Sequence, residues 1–134
     1  MSLITNLGGI DNSSNGSGTN GLIAGGSDNT LTNSNKFTIL GGQTNASESG
    51  GDNSLIAGGT DNTLSDLNAS IIGGQDNLIS NDGNNSSILG GRANEISEYN
   101  SVVLGGRNAV IENAGNNANG GILAGRYNEL SSEY

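Results

Sequence analysis

The chain has 134 residues, 31% of them hydrophobic, a net charge of −9, and no His, Cys, Pro or Trp. The missing His and Cys exclude Ser-His-Asp triads, histidine metal centres, thiolate nucleophiles and disulfides, and the acidic balance argues against nonspecific binding to nucleic acid. With 24 Gly the composition alone resembles a disordered segment, so the placement of the few apolar residues decides the fold.

That placement is periodic. From the N-terminus, twin glycines begin at Gly8, Gly25, Gly41, Gly58, Gly73, Gly90 and Gly105, and an eighth copy around Gly125 keeps a single glycine. Successive intervals are 17, 16, 17, 15, 17 and 15 residues, then 20 to Gly125. A short fixed period marks a solenoid. The expected fold is all-β: a parallel β-roll or β-helix of about eight short coils, forming one repeat domain over residues 1–134.

Each copy reads like Ser87-Ile88-Leu89-Gly90-Gly91-Arg92-Ala93-Asn94-Glu95-Ile96-Ser97. Two places before the first glycine stand Ile23, Ile39, Ile56, Ile71, Ile88, Val103 and Leu123, with Asn6 in the first copy. One place before stand Ala24, Leu40, Ala57, Ile72, Leu89, Leu104 and Ala124, and three before stand Leu22, Thr38, Leu55, Ser70, Ser87, Val102 and Ile122. This short run predicts a strand. Strand neighbours face opposite ways, so the set from Ile23 to Leu123 is expected to fill the coil, and its neighbours to face outward.

The twin glycines predict a sharp turn. The Asn that follows (Asn12, Asn29, Asn45, Asn62, Asn77, Asn94, Asn128) suits a turn and, stacked, a side-chain ladder. Leu31, Leu64, Ile79, Ile96, Ile111 and Leu130, five residues past the second glycine position, mark a second strand; Ser14 and Ser47 are polar exceptions. The longer return stretches, 13–20, 47–53, 81–86 and 113–120, are rich in Gly, Asn and Ser and gather at one edge, as a binding surface or as inert loops. No helical period appears.

A coil of this length supplies only three or four apolar side chains, too few to offset its ordering. The outward apolar positions therefore point to an interior shared between chains, and a homotrimer is the natural closed solution.

The strings Ser70-Ile71-Ile72-Gly73-Gly74, Ser87-Ile88-Leu89-Gly90-Gly91 and Ser101-Val102-Val103-Leu104-Gly105-Gly106 resemble the head repeats of trimeric autotransporter adhesins, and similar repeats in phage fibre and tail proteins. The resemblance implies a left-handed parallel β-roll assembled as a homotrimer. It also implies a structural, adhesive role. The first twelve residues carry no basic and apolar leader, and no stalk or anchor is visible, which favours either a virion protein at the virion surface or a head cut from a longer chain. On the first reading the chain is a phage fibre, tailspike segment or capsid decoration presenting loops to a host surface. The alternatives are the head of a bacterial cell-surface adhesin and a polysaccharide depolymerase fragment. The last calls for carboxylates with aromatic platforms, and the chain holds only three Tyr and one Phe.

Chemistry-bearing residues are few, and the protein is not expected to be an enzyme, to hold a cofactor or to insert in a membrane. Asp11, Asp28, Asp61 and Asp76 share one turn position, and Asp61 above Asp76 could recruit calcium or be a solvated turn. The calcium nonapeptide pattern itself is absent. Arg92, Arg107 and Arg126 form a band that could clamp a host glycan or another virion protein, or could pair with Glu95, Glu112 and Glu129.

Overall fold

The computed structural model describes residues 4–80, 82–113 and 119–132. Among the described residues there is no helix, and the strands build two eight-stranded parallel sheets. The first sheet stacks Ile4–Asn6, Gly21–Ile23, Thr38–Ile39, Leu55–Ile56, Ser70–Ile71, Ser87–Ile88, Val102–Val103 and Gly121–Ile122 in that order. The second stacks Ser13–Asn15, Thr30–Thr32, Ala46–Ser47, Thr63–Leu64, Leu78–Ile79, Glu95–Ile96, Val110–Asn113 and Glu129–Ser132. Between them runs a third rank of single bridges, Ile10, Ser27, Gln43, Thr60, Gln75, Arg92, Arg107 and Arg126. Eight strands per sheet make about seven turns of a β-solenoid, a rod on the order of 35 Å at roughly 4.8 Å per step.

Every coil hands its backbone hydrogen bonds to the next. Leu55 N donates to Ala69 O, Ala57 N to Ile71 O, Thr60 N to Gly74 O and Thr63 N to Asn77 O, over 2.9–3.1 Å. Strands this short cannot hold register by length; they hold it because each apolar residue lies above its counterpart. Ile39, Ile56, Ile71, Ile88 and Val103 are paired in sequence along the first sheet and are fully buried. Leu64, Ile79, Ile96 and Ile111 answer them from the second sheet. Ser47, the polar exception, is buried as well, and its Oγ accepts a bond from Thr32 N at 3.0 Å.

The last coil differs from its sequence alignment. Gly125 pairs with the second-glycine rank, because Arg107 bridges Arg126 and Val103 pairs with Ile122. Ala124 therefore stands at the first-glycine place, Ile122 points inward at 8% exposure, and Leu123 points outward at 75%. Placing Leu123 in the core slips the alignment by one residue, and a one-residue slip in a strand reverses every side chain.

The two glycines of a pair do different work. A Cβ on Gly59 would run into the Gly74 carbonyl and the Asn62 side-chain amide, and Gly59 holds a positive φ of 95°. A Cβ on Gly58 would meet nothing within 4 Å. Ala124 already shows that the first place accepts a methyl group.

Beside this corner the Asn side chains form a buried ladder. Asn62 N and Nδ2 both donate to Asn45 Oδ1 at 3.1 and 3.0 Å, and Asn62 Oδ1 accepts from Asn77 N at 3.1 Å. Asn62 Nδ2 also reaches the carbonyls of Gly58 and Gly74, both at 3.2 Å. The ladder is interrupted at Ala109, whose N–H still donates to Asn94 Oδ1 at 3.0 Å.

The return stretches carry structure as well. Residues 13–15, expected within a loop, are a strand of the second sheet. Ser54, Ala69, Ser86 and Ser101 form a buried rank leading into the first sheet, knitted by Ala69 N to Ser54 Oγ at 3.0 Å and Ser101 N to Ser86 Oγ at 2.8 Å. Phe37 takes the same place in the third coil, its ring over Gly51. Residue 81 and residues 114–118 of two expected loops lie outside the described residues.

Two substitutions separate the glycines: Gly58→Ala should change stability by no more than about 0.5 kcal/mol, whereas Gly59→Ala should cost about 3 kcal/mol, measured by urea unfolding. Thr44 holds a left-handed φ of 54° where five other coils place Asp or Asn. Thr44→Asn should therefore stabilise by about 1 kcal/mol in the same assay.

Candidate binding surface

Three surfaces of the rod carry chemistry. The first is the outer face of the first sheet. Leu7, Ala24, Leu40, Ala57, Ile72, Leu89, Leu104 and Leu123 follow one another in register, linked by bonds such as Leu40 N to Ile56 O and Leu89 N to Val103 O. Leu40, Ile72, Leu89 and Leu104 are each 45–49% exposed. They project outward because their inward neighbours in the strand fill the coil. Beside them runs the set of Leu22, Thr38, Leu55, Ser70, Ser87 and Val102, with Ser70 and Ser87 hydroxyls 2.9 Å apart. The result is an aliphatic stripe along the length of the rod.

The second surface is the bridge corner. Arg92, Arg107 and Arg126 occupy successive bridges at its C-terminal end, all exposed. Among the described residues the only ion pair is Arg92 Nε with Asp76 Oδ2, at 3.8 Å between half-exposed side chains; pairs of the band with Glu95, Glu112 or Glu129 do not form. Glu95 and Glu129 stand instead in the second sheet, each aligned with Val110. The Arg126 guanidinium lies over the Tyr127 ring, 5.3 Å from its centre.

One residue past each bridge the backbone turns left-handed: Asp11, Asp28, Thr44, Asp61, Asp76, Ala93, Asn108 and Tyr127 all have φ of 52–57°. Asp and Asn tolerate that conformation better than other L-residues, which gives Asp61 and Asp76 a backbone reason to stand there. Both are exposed. No group of three or more acidic side chains that could hold a metal ion occurs among the described residues.

The third surface, on the return edge, was not legible as a cluster. Asp66 is 8% exposed, and its Oδ2 is buried without a hydrogen-bond partner. Gly83 of the next coil leaves room for it; a Cβ there would lie 3.2 Å from Oδ2. Burial raises the Asp66 pKa, the Asp82 charge adds to the rise, and backbone N–H groups of Asp82 and Gly83 oppose it. Nearby, the Tyr99 hydroxyl donates to Asp82 Oδ1 at 3.0 Å, and this bond to a carboxylate raises the phenol pKa. The only sequence signal was an acidic residue replacing glycine or serine in a loop rank (Gly51, Asp66, Gly83, Glu98), visible once the coils are stacked.

The chain matches no protein-family model and no curated protein.

Because the folded Asp66 pKa lies above its unfolded value, the carboxyl favours folding fully below the unfolded value and loses that contribution as pH rises through the folded one. Asp66→Asn should therefore raise stability at pH 7 and leave it nearly unchanged at pH 3, as read by denaturant midpoints. An equal shift at both pH values would assign the effect to packing.

Proposed function

We propose that the protein is a non-enzymatic structural and adhesive rod that works as a homotrimer. In this reading it is part of a virion surface, as a fibre, tailspike segment or capsid decoration, with its corners and return edges turned to a host surface. The observation that carries the proposal is the outward aliphatic stripe, repeated in every coil from Leu7 to Leu123. A stripe in register over the whole rod suits a partner of the same length and pitch, and further copies of this chain are such partners. Three rods around a common axis bury the stripe on each without leaving one exposed, whereas a helical stack of unlike contacts would not close.

Adhesion fits the same architecture. Side chains on the corners repeat at the strand spacing, so one weak contact is multiplied along the rod, and again threefold around the axis.

Light scattering on the purified chain is the test. The expected mass is that of three chains, and Leu89→Asp should shift it towards one, since each buried, unpaired carboxylate costs about 3 kcal/mol. A folded wild-type protein with the mass of one chain in dilute solution overturns the reading.

A further inference from the structure

The arginine band has a chemistry that packing does not explain. Arg92, Arg107 and Arg126 are stacked on consecutive bridges, so their backbones sit one strand spacing apart, about 4.8 Å. Like charges at that spacing repel unless an anion lies between them. Asp76 meets only Arg92, and only at 3.8 Å. Arg107 has no carboxylate partner among the described residues. Arg126 is held over the ring of Tyr127, a residue 65% exposed. The band is thus a row of three outward guanidiniums ending on an aromatic face.

We infer that this band binds a linear carboxylated polysaccharide, a polyuronate, with sugar carboxylates lying against the row of Arg92, Arg107 and Arg126 and a sugar ring resting on Tyr127. A guanidinium presents paired donors that match a carboxylate. Both the ligand and the row are linear arrays of charge, so several weak contacts can be made at once. Nucleic acid fits less well. Its successive bases call for several stacking platforms, and the band offers one aromatic ring, Tyr127. A second copy of this chain fits less well too: in parallel rods, as the proposed trimer requires, arginines lie level with arginines and the Asp turns level with Asp turns. The inference names the ligand of the adhesive reading and rests on it to that extent.

The experiment titrates a fluorescent oligogalacturonate of defined length into the full chain, with light scattering on the same samples. Wild-type protein should bind it, more weakly as salt rises, and should not bind the fully methyl-esterified oligomer. Arg92→Gln/Arg107→Gln/Arg126→Gln should lower affinity about tenfold or more, flatten the salt dependence and leave the mass unchanged. Tyr127→Asn, which suits the left-handed φ of 57°, should weaken binding while keeping the salt dependence. Equal binding by the triple variant, equal binding of the esterified oligomer, or tighter binding of an oligothymidylate overturns the inference. Absence of wild-type binding by a protein of trimer mass overturns it and leaves the trimer standing. A single-chain mass with arginine-dependent binding does the reverse.

Discussion

The approach of one backbone to the next at the glycine corner is the constraint on which this rod depends. At Gly26, Gly42, Gly59, Gly74 and Gly91 the carbonyl of the following coil occupies the space a Cβ would need. From Asn12 to Asn94, that closeness brings each ladder side chain within reach of a glycine carbonyl in its own coil and another in the next. A buried amide with all its bonds made stabilises, and one left unmatched costs more than it gives. The corner and the ladder therefore stand together, and they fix the pitch at which the two sheets stack.

Once the pitch is set, the period of two along each strand distributes the aliphatic residues. Ile71 and Ile72, adjacent in sequence, end on opposite sides of the same sheet, one fully buried and one 46% exposed. The interior is narrow: isoleucine, leucine and valine from two sheets, with small serines closing the third side. Gly51 makes room for the Phe37 ring, and a Cβ on Gly83 would press first on Ile79 and then on Asp66. Such a slender rod leaves a rank of aliphatic side chains outside, at Leu40, Ile72, Leu89 and Leu104, and the proposed trimer would cover them.

Backbone conformation also orders the charges. The place after each bridge is left-handed, which favours Asp in four of the first five coils, with Thr44 in the third. In the last three coils that place goes to Ala93, Asn108 and Tyr127, while the bridges themselves become arginine. One edge of the rod thus passes from acidic to basic along its length, and the basic end has little internal neutralisation.

The sequence by itself determined the coil. Repeated Ile, Gly-Gly and Asn at one period are enough to read a parallel solenoid, its two strands per turn and its inward rank from Ile23 to Val103, because steric and periodic rules act locally on each copy. It also placed the three arginines in line. Which glycine of each pair is indispensable, where Leu123 points, that the return stretches are plugged by Ser54, Ser86 and Ser101, and that Asp66 is buried were decided only in the tertiary structure. Each of these depends on what the neighbouring coil places a few ångströms away, from residues about sixteen positions distant, and no local pattern carries that distance.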